Sequence, residues 1–173
     1  MKKHLNVGIV GFGAMGKTHA YSIASLPYFY SPLEFTVSVR GICTTSLEKS
    51  QRICDELGFT RAYADAYEMI ADPEIDVIDI CTPNVTHFEI ANAALDAGKS
   101  VLCEKPFTVS PAQAETLAAK AAQKGLVCGV VYNNRHLAAI LRAKQLIDQV
   151  RVDAFSRSRS NTDTTATLIL RVR

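Results

Sequence analysis

No apolar run in this chain is long enough to cross a bilayer. The start, Met1-Lys2-Lys3-His4, runs straight into a strand-like segment and has no signal-peptide core or cleavage site. No membrane association and a cytoplasmic location are therefore expected. The five cysteines, Cys43, Cys54, Cys81, Cys103 and Cys128, include no C-x-x-C pair and no Cys/His cluster at zinc spacing. No metal site is expected, and the thiols read as reduced, small, buried hydrophobes. A surplus of one charge sign is lacking as well: the net charge is +2. Residues 151–173 carry five Arg against two Asp, a local +3, which leaves 14 basic against 15 acidic residues, −1, in the first 150. The body of the chain has no electrostatic footprint for nucleic acid.

What remains is a 173-residue chain, 48% apolar, enough for one domain with a substantial core. Residues 5–10 read as a buried strand, followed by a helix from about Met15 to Leu26 and a proline-bounded loop from Tyr28 to Pro32. A second strand covers about Phe35 to Cys43. Thr45 and Glu48 form a capping box for the next helix, whose face is Ser50, Ile53, Cys54 and Leu57 and whose stop is Gly58. A short strand near 61–63 and a short helix near 65–71 follow. Ile75 to Cys81 is a strand, and Thr86 with Glu89 is a second capping box. Ser100 to Cys103 is a strand, and Ser110-Pro111-Ala112-Gln113 opens a helix closed by Gly125. Leu126 to Tyr132 is a last strand and His136 to about Ile147 a last helix. Regular alternation of strand and helix implies right-handed crossovers and a doubly wound parallel α/β sheet.

Chemistry-bearing residues gather at the strand ends. Gly11-Phe12-Gly13-Ala14-Met15-Gly16 fits G-x-G-x-x-G between a strand and a helix. In that context the first glycine allows the turn, the second admits a pyrophosphate and the third lets helix and strand pack. Free amides at the helix start attract phosphate. The second strand ends in Cys43-Thr44-Thr45-Ser46, without the acidic residue that would bond a ribose 2′-hydroxyl. Thr44 and Thr45 could serve a 2′-phosphate, with Arg40 the nearby arginine, which leans towards NADP over NAD; Thr45 could equally be only a helix cap. Thr82-Pro83-Asn84 ends the fourth strand at the same edge. His87 is either a contact near the nicotinamide or a surface histidine of a first helical turn. Glu104-Lys105-Pro106 ends the fifth strand, where a reacting substrate would lie. Lys105 could donate to a substrate oxygen or stabilise developing charge, and Pro106 is a candidate for a cis bond.

Taken together, Gly11 to Gly16, Thr82-Pro83-Asn84 with His87, Gly98-Lys99 and Glu104-Lys105-Pro106 resemble the Gfo/Idh/MocA oxidoreductases, the relatives of glucose-fructose oxidoreductase and inositol dehydrogenase. The resemblance runs from about residue 5 to 148. It implies an NAD(P)-binding Rossmann domain over 1–148, Lys105 as the active-site lysine, and a sugar- or cyclitol-like substrate that exchanges hydride with the cofactor. It also implies roles near the cofactor for Asn133 and Arg135, and adds Glu104 and Pro106 to the cofactor-side residues.

The family continues into a β-sheet substrate domain that supplies an Asp and a His. That second domain is expected to be absent: residues 149–173 are read as an atypical tail, without glycine or proline, disordered or the product of a frame shift. The alternative to an enzyme is therefore a non-catalytic dinucleotide-binding module or an inactive fragment. An exposed apolar face leads to an expectation of self-association.

Overall fold

Six parallel strands in the order β3-β2-β1-β4-β5-β6 set the architecture of the described residues. The structure is a computed structural model and describes residues 3–149. In chain order the elements are β1 (Lys3–Val10), α1 (Ala14–Phe29), β2 (Phe35–Cys43), α2 (Leu47–Leu57), β3 (Arg61–Tyr63), α3 (Ala66–Ala71), β4 (Val77–Ile80), α4 (His87–Asp96), β5 (Ser100–Cys103), α5 (Pro111–Lys124), β6 (Cys128–Val130) and α6 (Ala138–Gln149). Two units are distinguished, one ending at Val131 and one beginning at Tyr132. The expected tail lies, beyond Gln149, outside the described residues.

The first unit holds the whole sheet. The inner strands β4 and β5 are largely apolar because both sheet faces are covered by helices. Val7 and Ile9 point to one face and pack with Ala20 of α1 and Ile53 of α2. Val10 points to the other, where Ile78 and Ile80 meet Ile70 of α3, Leu95 of α4 and Leu117 of α5. This is the doubly wound Rossmann arrangement the alternation implies. The strand ends fall in register: Tyr63 pairs with Cys43, Cys43 with Val10, Val10 with Ile80, Ile80 with Cys103 and Cys103 with Val130. Every loop that leaves the carboxyl end of a strand therefore starts from one row. The second unit contains a 3₁₀ turn, Asn133–His136, and α6, whose Ile140, Leu141 and Ile147 are exposed.

Three local expectations are corrected. The cap of α2 is Ser46, whose hydroxyl accepts from Lys49 N at 3.3 Å, so Thr45 is not the cap. The chain enters α4 through a 3₁₀ turn, Asn84–Thr86, and Thr86 already has helical geometry. Its hydroxyl faces Thr82 Oγ1 at 2.8 Å and the Pro83 carbonyl at 2.9 Å instead of closing a box with Glu89. Finally, α1 runs through Pro27 to Phe29, because Tyr30 N still reaches the Leu26 carbonyl at 2.9 Å, so Tyr28 and Phe29 belong to the helix rather than to a loop. The cap at Ser110 forms as expected, accepting from Gln113 N at 3.4 Å.

Leu95 has no exposed surface, whereas Val127 lies open to solvent. Leu95→Ala is expected to cost about 2–5 kcal/mol and Val127→Ala no more than about 0.5 kcal/mol, as read from urea unfolding midpoints.

Candidate functional site

Backbone packing builds the centre of the strand-end row. Gly11 has φ +91, a left-handed conformation that favours glycine. A Cβ on Gly11 would lie 2.6 Å from the Cys81 carbonyl oxygen, and one on Gly16 2.2 Å from the Gly11 carbonyl oxygen. The turn is tied to β2 by Gly11 N donating to the Cys43 carbonyl at 2.9 Å. Gly13 precedes α1 and offers no side-chain cap, so the first-turn amides of α1 are left for another acceptor. Gly13, Ala14 and Met15 are exposed, whereas the Phe12 ring is buried edge-on against Phe59. Phe12 thus anchors the turn from within.

A cleft of about 420 Å³ runs along the edge, lined by residues 11–13, Thr44, Thr45, Lys49, Asp65, Thr82 and Pro83. A wider hollow of about 710 Å³ lies between α1 and α2, lined by Lys17, Tyr21, Arg52 and others. Within the cleft the two threonines differ. Thr44 is buried, its hydroxyl facing Ser50 Oγ at 2.9 Å and the Ser46 carbonyl at 3.1 Å. Thr45 is exposed, and its hydroxyl is not committed to a cap. Arg40 does not line the cleft. It sits where the β1–β2 register shifts by one residue, and its guanidinium pairs with Glu74. The cation that does line the cleft is Lys49, in the first turn of α2, which the sequence reading missed.

The turn after β4 and the segment after β5 are held by histidines. His87 is 1% exposed, so it is not a surface histidine. Its Nε2 lies 2.8 Å from the Thr82 carbonyl and its Nδ1 2.9 Å from the Pro106 carbonyl, which sets the ring between the two segments. The Lys105–Pro106 bond is cis. Lys105 is exposed at the end of β5, with its backbone N–H donating to Glu104 Oε2 at 3.0 Å. Glu104 and Gly11 follow strands two positions apart in the sheet, on the order of 10 Å. Asn84 is exposed in the turn after β4. Asn133 and Arg135 fall on the 3₁₀ turn of the second unit. Lys99, part of the family-like pattern, donates instead to the carbonyls of Asp72 and Ile75 at 2.8 and 2.6 Å and is structural.

Sequence reasoning also missed a buried cluster beneath this edge. His19 Nδ1 lies 2.9 Å from Asp79 Oδ2, and His19 Nε2 lies 3.1 Å from Glu104 Oε1. The three residues are 8%, 0% and 6% exposed. The available signal was an aspartate inside the apolar run Val77-Ile78-Asp79-Ile80. Hydrogen bonding to Asp79 raises the His19 pKa above its ordinary 6.5, against burial, and Glu104 adds to the rise. Cys81 Sγ approaches His19 Nδ1 at 3.3 Å. The His19, Asp79 and Cys81 donor atoms lie within 4.8 Å of one another. They form a hydrogen-bonded network, because both ring nitrogens are spent on carboxylates and burial pushes the Cys81 thiol up. Burial likewise pushes Cys43 to about 11 and Cys103 to about 12, as inert core thiols require. Among the described residues, no helix is long and apolar enough to cross a membrane.

Asp72 titrates in the opposite sense. Burial would raise it, but bonds from the Tyr63 hydroxyl, Glu74 N and Arg61 bring it to about 2 from 3.8. The Asp72 contribution is complete above about 3.8 and is lost as the pH falls towards 2; the His19 contribution is complete below about 6.5 and is lost as the pH rises through its raised value. Urea midpoints measured against pH are expected to fall on both flanks. His19→Gln should flatten the alkaline flank and Asp72→Asn the acidic one.

A family model described as an oxidoreductase family with an NAD-binding Rossmann fold matches residues 5–132. Levoglucosan dehydrogenase of Pseudarthrobacter phenanthrenivorans is 35% identical over 147 residues, 85% of this chain and 38% of the relative. The D-xylose 1-dehydrogenase (NADP(+)) of Hypocrea jecorina is 30% identical, over 83% of this chain and 38% of the relative. A solved complex of levoglucosan dehydrogenase with NADH and levoglucosan superposes with a TM-score of 0.78 at 36% identity, over 85% of this chain and 40% of that one. The chain spans about 40% of the length of these relatives.

Proposed function

This chain belongs to the Gfo/Idh/MocA family of oxidoreductases, and we propose that its first unit is the cofactor-binding half of an NAD(P)-dependent enzyme acting on a hydroxyl-bearing carbon of a sugar- or cyclitol-like substrate. Gly13 is the observation that carries this reading. Gly11 and Gly16 are required by the protein's own backbone, but Gly13 has φ −77, which any residue adopts, and a Cβ there meets nothing within 4 Å. Among the described residues nothing requires glycine at that position; a pyrophosphate lying on the α1 amides does.

The residues present fit such a group. The first-turn amides of α1 receive the diphosphate, and Thr82 and Pro83 wall the cleft on the β4 side. Thr45 and Lys49 flank the cleft at the end of β2, where no carboxylate ends the strand, and this favours a 2′-phosphate and hence NADP. When bound, the dinucleotide supplies the hydride donor or acceptor. Lys105 then donates from Nζ to the substrate oxygen, orienting it and stabilising negative charge as it develops. Asn133 and Arg135 are assigned to the cofactor side on the family pattern.

Gly13→Val is expected to weaken NADH and NADPH binding by at least about tenfold, 1.4 kcal/mol, with an unchanged thermal midpoint. Gly16→Ala should lower that midpoint instead, since overpacking costs about 1–3 kcal/mol. Equal binding by wild type and Gly13→Val would remove the basis of the reading. Lys49→Ala should weaken NADPH binding and leave NADH binding unchanged. Because the chain spans about 40% of its relatives, turnover is tested separately from binding. A screen of sugars and cyclitols should reveal a rate that Lys105→Ala lowers by about a hundredfold or more. Binding without any such turnover favours the non-catalytic module.

A further inference from the structure

Each ring nitrogen of His19 faces a carboxylate, Asp79 on one side and Glu104 on the other. A neutral imidazole carries one N–H and would leave a bare nitrogen against an anion, whereas the imidazolium donates to both. It also sets a positive charge between two buried carboxylates. The groups that face the ring are Asp79 from β4, Cys81 from the turn after it and Glu104 from the end of β5. The nearest titratable neighbours on α1, Lys17 and Tyr21, are exposed.

Glu104 is held at both oxygens. Oε1 accepts from His19 Nε2, and Oε2 accepts from the backbone N–H of Lys105 at 3.0 Å. Glu104 N donates to the Ile80 carbonyl at 2.9 Å, which ties the segment to β4. On the far side of Lys105 the Pro106 carbonyl is fixed by His87. The Lys105 backbone is gripped from both sides while its side chain stays exposed. His19 lies three residues beyond Gly16, whose contact with the Gly11 carbonyl fixes the start of α1 against the turn.

We propose that His19, as an imidazolium bridging Asp79 and Glu104, is a positioning residue for Lys105. The functional meaning rests on the role given to Lys105 above, but the test requires neither cofactor nor turnover, so the two can fail separately.

The test is ¹⁵N NMR of the labelled 173-residue chain. Both ring nitrogens of His19 are expected to be protonated at pH 7, and the Lys105 amide shift should titrate with the same midpoint as the His19 ring. In His19→Gln that titration should vanish, and exchange of the Lys105 amide should quicken about fivefold or more, the worth of roughly one hydrogen bond. Should that variant not fold, Glu104→Gln removes one anion and one acceptor, and the His19 midpoint must fall. A neutral His19 tautomer at pH 7 overturns the proposal, as does a Lys105 amide indifferent to His19 titration or a His19 midpoint unchanged in Glu104→Gln.

Discussion

Backbone packed on backbone at the end of β1 is the constraint on which the rest depends. With no side chain at Gly11 or Gly16, the turn lies against the end of β4 and α1 starts against the turn. That contact fixes where the unpartnered amides of α1 point. It also fixes His19 one turn further on, within reach of Asp79 and Glu104. Because the six strands end in register, one local packing decision is passed along the whole edge, from Thr44 after β2 to Lys105 after β5.

Beneath an apolar sheet this edge rests on buried polar groups. Asp79, Glu104, His19 and His87 are all buried, and each has hydrogen-bond partners on another element; Asp72 is buried at the opposite ends of the strands, bonded to Arg61 at the start of β3. Removing one member of a buried charged pair leaves its partner uncompensated, at a cost of about 3–5 kcal/mol. The polar network therefore fixes the relative placement of strand-end loops that a hydrophobic core alone would leave free to shift. The same groups give the fold its two pH-sensitive flanks.

Much of this architecture was legible in the sequence. Strand and helix alternation, the turn glycines and the stops at Gly58 and Gly125 are local signals, and the sheet follows from them. Helix entries were less secure. Thr45 and Ser46 are both good caps one residue apart, and the choice was made by how β2 ends rather than by the residues themselves. Thr86 satisfied the capping pattern, but a 3₁₀ turn already occupied the site of the cap. The exposed site residues belonged to recognisable motifs. The supporting ones were harder to see: Glu104 stood in the Glu104-Lys105-Pro106 motif, but His19 and Asp79 stood in none, and the hydrogen-bonded pairs span 60 and 85 positions and meet only through the topology. Lys49 escaped notice for a related reason: a lysine in a polar first turn looks solvated until the cleft beside it is seen.

Amide shift mapping of the labelled chain during titration with NADPH tests the central claim most directly. The account predicts saturable changes concentrated at residues 13–16, Thr45, Lys49 and Thr82 along the strand-end cleft. Changes confined to the hollow between α1 and α2, at Lys17, Tyr21 and Arg52, or no saturable change at all, would contradict it.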